Sequence, residues 1–159
     1  MFNVVFEYFW ALALGATVLN YYSGKRSHKP PKSEIEAQEA ERYRFRGFIL
    51  LASPWVLMGV GQLSGSTPTV LNYFRPQDGN PFVIAWVALV FAVAYLLAGW
   101  VLFAGGAEKV RDLNLLSVAG LSGHQPLSLQ AIKAIAAIGI MLPPVWLLMV
   151  MTADTIVPG

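Results

Sequence analysis

The sequence predicts an all-α membrane protein with four transmembrane helices and a short cytoplasmic helix before the second of them. Three observations predict it. Only 13% of the 159 residues are charged, against roughly 25% in soluble domains. Long apolar runs alternate with short polar segments, the pattern of a chain that crosses a bilayer repeatedly. The basic residues are concentrated in two of the three connections. A spanning helix needs about 20 residues, so four spans and their connections use residues 1–159 as one membrane domain.

The first span is expected at Phe2–Tyr22. Met1–Phe6 carries no Lys or Arg, and the apolar run exceeds a typical signal-peptide core, so it reads as a retained span. Tyr8, Trp10, Tyr21 and Tyr22 suit the headgroup level, where amphipathic rings are favoured.

A basic stretch follows, with Lys25, Arg26, His28, Lys29 and Lys32 around Pro30-Pro31. Prolines block helix there. Ser33 and Glu36 have capping-box spacing, which predicts a helix from Glu34. Its acidic start (Glu34, Glu36, Glu39, Glu41) and basic end (Arg42, Arg44, Arg46) match the helix dipole. Glu39–Arg42 and Glu41–Arg44 have the spacing of weak intrahelical pairs.

That helix leads into the second span, Gly47–Ser64. Pro54 removes one backbone hydrogen bond within it, and Ser53 is placed to satisfy the freed carbonyl. The connection Gly65–Pro81 is rich in turn residues and carries the turn signal Asp78-Gly79-Asn80-Pro81. The third span, Phe82–Phe103, contains no charge. In the third connection Val110, Leu113, Leu115, Leu116, Val118 and Leu121 suggest a short helix on the membrane surface. The fourth span, Ala131–Thr152, contains Pro143-Pro144.

Charge sets the orientation. Seven of the eleven Lys and Arg lie in the first connection, two in the third, and Lys133 opens the fourth span; only Arg75 lies in the second. The first and third connections share a side in a four-span chain. The positive-inside rule makes that side cytoplasmic and puts both termini outside.

Few residues invite a chemical role. Glu7 lies roughly 9 Å into the first span, where a carboxylate is expensive and often functional. Its plainer reading is an interfacial residue beside a helix N-terminus, with Arg75 as a same-side partner. Gly61-x-x-x-Gly65 permits close helix approach and Gln62 can bond across an interface, although Gly65 equally suits a helix end. Pro143-Pro144 reads as a packed kink in preference to an ion-binding break. Lys25, Arg26, Lys29, Lys32, Arg42, Arg44 and Arg46 would attract anionic lipid as well as fix topology. The five tryptophans read mostly as belt anchors, with Trp55 and Trp146 less easily placed.

The chain has no cysteine, which excludes disulfides and thiolate chemistry. No zinc spacing or phosphate loop is present. His28 and His124 lie in connections, which disfavours a haem held at depth. No cofactor and no nucleic acid are expected.

The expected partners are membrane lipids and other membrane subunits or copies of the chain. The favoured function is a non-catalytic accessory or structural subunit of a larger membrane complex. The alternative is a small homo-oligomeric transporter or channel worked by Glu7, Gln62 and Pro143-Pro144. An intramembrane enzyme ranks last. It would draw on Arg75 and Asp78, or on His124 with Glu108 and Asp112, and acid–base catalysis needs groups held in place.

Overall fold

A computed structural model describes residues 2–26, 33–113, 115, 117–120 and 123–156. Among the described residues the regular structure is helical apart from one hairpin. Helix α1 spans Phe2–Glu7, α2 Phe9–Arg26, α3 Glu34–Leu63, α4 Pro81–Phe103, α5 Gly106–Asp112 and α6 Leu129–Ile156. Strands β1, Ser117–Gly120, and β2, Gly123–Pro126, pair antiparallel between α5 and α6. Three helices, α3, α4 and α6, are long and apolar enough to cross a membrane.

Each boundary has a local cause. Ser33 caps α3, its hydroxyl accepting from the Glu36 amide at 3.2 Å. α3 then runs 30 residues without interruption, about 45 Å. That exceeds the roughly 30 Å hydrocarbon core, so the helix is long enough to carry a charged extension at one end. Pro54 does not break it. The Ser53 hydroxyl donates to the Leu50 carbonyl at 2.8 Å, the acceptor that residue 54 would otherwise serve. Gly65, at φ +75°, adopts the left-handed turn that follows the helix end. Asn80 caps α4 by accepting from the Phe82 amide at 3.0 Å, and Pro81 fills its first turn.

Two expectations about the elements need correction. The apolar run Phe2–Tyr22 is not one helix: it breaks at Tyr8 into α1 and α2. α1 packs beside the 3₁₀ turn Val70–Phe74 while α2 packs along α3, so the two pieces follow different partners. The surface helix of the third connection is confined to α5, and Val118 lies in β1; Leu116 and Leu121 lie outside the described residues. Gly120 pairs with Gly123 in the hairpin.

The helices form an open row. α2 packs on α3, α3 on α4, and α4 on α6. Among the described residues α6 makes no extensive contact with α2 or α3. Contacts also sort the two ends of the row. At one end Tyr21 bonds Glu41, Tyr43 stacks on Trp100, and Lys109 and Lys133 meet Glu39 and Glu108. At the other end Trp55 meets Phe9, and Trp146 meets Phe74. The first and third connections therefore share an end, and α1 lies with the second connection at the opposite one.

Candidate functional site

The best-built polar feature sits where α3 ends and the chain turns back toward α4. Val70–Phe74 is an apolar island in a turn-rich connection. It folds inward and seats Tyr73, which is 0% exposed, against Met58, Val70 and Val83. Trp10, Trp55 and Trp86 pack around this core. The ring of Tyr73 meets Trp86 edge-on at 5.2 Å.

The Tyr73 hydroxyl lies 3.1 Å from the Met58 carbonyl and 2.9 Å from the Thr67 hydroxyl. A carbonyl can only accept, so Tyr73 donates to Met58 and Thr67 donates to Tyr73. Thr67 is also fully buried, and its amide donates to the Gly61 carbonyl at 3.0 Å. Burial pushes the Tyr73 phenol above its ordinary range, and the bond to Thr67 pulls the other way. The connection is thus latched onto the last turn of α3.

This latch gives Gly61 a different role from the expected one. A Cβ at Gly61 would collide with the Tyr73 and Thr67 hydroxyls. Gly65 lies past the helix end, since α3 stops at Leu63. Within the chain, therefore, Gly61 faces the latch and Gly65 faces open space, and the two share no helix partner. The close helix contact is made by Gly59, where a Cβ would stand 2.7 Å from Trp10 on α2.

Gln62 occupies a special place. Both its amide oxygen and nitrogen are buried, and neither has a hydrogen-bond partner. The indole nitrogen of Trp86 and Nε of Arg44 are in the same condition. A buried unmade bond costs about 1–3 kcal/mol, so a water, a lipid or a polar group of a partner at these atoms would be favoured.

The remaining expected site residues are not brought together. Glu7 and Arg75 are both exposed, and no ion pair joins them among the described residues. Pro143 and Pro144 lie within a continuous α6. Pro143 lines an apolar cavity of about 370 Å³ between α4 and α6, with Trp86, Phe91, Gly139 and Trp146. No charged residue lines this cavity. Trp55 and Trp146 also find their place, in a run of rings through Trp86 at 6.5 and 6.4 Å.

At the opposite end the acidic residues of α3 choose partners outside their own helix. Glu39 bonds Lys109 at 2.6 Å, and the Tyr21 hydroxyl donates to Glu41 at 2.6 Å. The bond to Lys109 takes the place of the expected Glu39–Arg42 pair, while Glu41 still acts on the Arg44 guanidinium through its charge. The Glu39 carboxylate holds the Lys109 ammonium above its ordinary range. Glu108 lies 3.7 Å from Lys133, and Asp112 lies 2.8 Å from Arg111. Lys25 and Arg26 close α2, whereas Lys29 and Lys32 lie outside the described residues. Arg75 and Asp78 are exposed beside Gly79. Among the described residues no three His, Cys, Asp or Glu side chains gather closely enough to hold a metal ion.

Sequence reasoning missed Tyr73 and Thr67. The signal that pointed to them was the apolar run Val70–Phe74 inside an otherwise polar connection. With that geometry in place, comparison with protein-family models, with curated proteins and with solved structures finds no match.

Proposed function

We propose that this chain is a non-catalytic accessory or structural subunit of a larger membrane complex, acting through helix packing and lipid contact. The observation that carries the reading is the open row. In α3, α4 and α6 only 28%, 22% and 17% of the apolar stretch is buried within the chain. A closed bundle would cover its inner faces; a row leaves each helix with two broad apolar faces for lipid or for helices of other chains. The unpartnered amide of Gln62 adds a polar group that this fold does not satisfy.

The proposal includes a fourth crossing. α2 runs beside α3 from the Phe9–Trp55 contact to the Tyr21–Glu41 bond. We infer that α2 crosses alongside α3. With the basic end facing the cytoplasm, both termini lie outside.

Extraction in mild detergent followed by native mass spectrometry tests the subunit reading. The chain should be recovered at stoichiometric ratio with other membrane chains. Recovery only as a monomer carrying lipid would overturn it, and recovery as a homo-oligomer would favour a small channel or transporter.

A further inference from the structure

The outer face of α3 combines apolar side chains with two exposed cations at its charged end. Phe45, Ile49, Val56 and Val60 are each about half exposed and lie along the uncovered side of the helix. Arg42, about one turn before Phe45, and Arg46, next to it, are exposed and lie one helical turn apart, or about 6 Å along the axis. Neither takes part in an ion pair among the described residues. The neighbouring acids are turned elsewhere: Glu39 to Lys109 on α5, and Glu41 to Tyr21 on α2. A shallow groove of about 580 Å³ lies here, lined by Ala37, Gln38, Glu41, Arg42 and Phe45.

We propose that Arg42 and Arg46 form a binding site for the headgroup of an anionic phospholipid, whose acyl chains lie on Phe45 and Ile49. Charge complementarity selects the occupant. Two guanidiniums on one face can share a phosphate through directed N–H bonds, which a lone surface lysine does not do as well. The carboxylate of Glu41 borders the groove, and its bond to Tyr21 draws it toward α2. The apolar stripe below ties the site to a lipid in preference to a free phosphate, because a soluble anion gains nothing from Phe45 or Ile49. The inference rests on the membrane reading of α3 and not on the identity of any protein partner.

The full chain, reconstituted in nanodiscs containing phosphatidylglycerol and phosphatidylcholine, tests it. Native mass spectrometry should show phosphatidylglycerol retained over phosphatidylcholine. The double variant Arg42→Gln/Arg46→Gln should lower that retention roughly tenfold or more. Arg111→Gln removes one charge at the same end and should leave it unchanged. Arg42→Lys/Arg46→Lys should retain less than the native chain and more than the Gln pair, with inorganic phosphate failing to compete. Equal retention of both lipids, or equal loss in Arg111→Gln and the Gln pair, would overturn the site while leaving the membrane reading intact. Release of the chain from membranes by alkaline carbonate would instead refute the membrane reading itself.

Discussion

At the residue scale, burial has opposite consequences for the two polar side chains near the end of α3. Tyr73 is buried with its hydroxyl fully used, between Met58 and Thr67. Gln62 is buried with its amide unused. Removing the first leaves orphaned groups behind; removing the second takes an orphan away. Tyr73→Phe should therefore lower stability by about 1–3 kcal/mol, while Gln62→Leu should be neutral or raise it by about 1 kcal/mol. Denaturant unfolding in a fixed detergent, followed by helical signal, would compare them. A Gln62→Leu chain that is stable but no longer recovered with partners would locate an interface at that amide. The Tyr73 phenol also has a defined pH signature. Its folded pKa lies above the ordinary 10.0, so the stability linked to its proton is complete below pH 10 and is lost as pH rises through the folded value. In a near-ultraviolet titration Tyr73 should ionise among the last tyrosines, and Tyr73→Phe should remove that late step.

At the scale of single helices, what could be read from the sequence was local chemistry. Ser33 and Glu36 marked the start of α3, and Asn80-Pro81 marked that of α4. Ser53 beside Pro54 anticipated the bond to Leu50 because donor and orphaned acceptor lie within one turn. A double-mutant cycle checks this repair. Ser53→Ala alone should cost about 1 kcal/mol; in a Pro54→Ala background it should cost close to nothing, since the new alanine supplies the missing N–H. Equal costs in both backgrounds would mean that the hydroxyl does something else. What escaped the sequence was set by distant partners. Glu39 could not be assigned to Lys109, 70 positions away, when Arg42 stood three positions away. The break at Tyr8 depends on the turn Val70–Phe74, and Tyr73 depends on the end of α3. The hairpin was missed for a different reason: Gly120 and Gly123 were available as turn residues, but the scattered leucines around them favour a helix reading.

For the whole molecule, sequence and structure agree on the coarse architecture and differ in how it is held. Three helices have the length and apolar character to cross a bilayer, and the charged start of α3 meets the third connection at one end through Glu39–Lys109. Apolar composition alone implied crossing segments; it did not reveal that they line up in a row. That arrangement leaves the larger part of each helix for lipid or partners and motivates both the subunit reading and the Arg42–Arg46 lipid site.

The proposed embedding of this row in a membrane, with four crossings, is directly testable. Because the chain has no cysteine, single cysteines can be introduced at Ser33, Ser66 and Gly105, with a tag at the N-terminus, and labelled with a membrane-impermeant maleimide in sealed vesicles or intact cells. Ser33→Cys and Gly105→Cys should label only from the cytoplasmic side, while Ser66→Cys and the N-terminal tag should be reached only from the other. Labelling of all three cysteines from the same side, or an N-terminal tag reached from the same side as Ser33→Cys, would contradict the account.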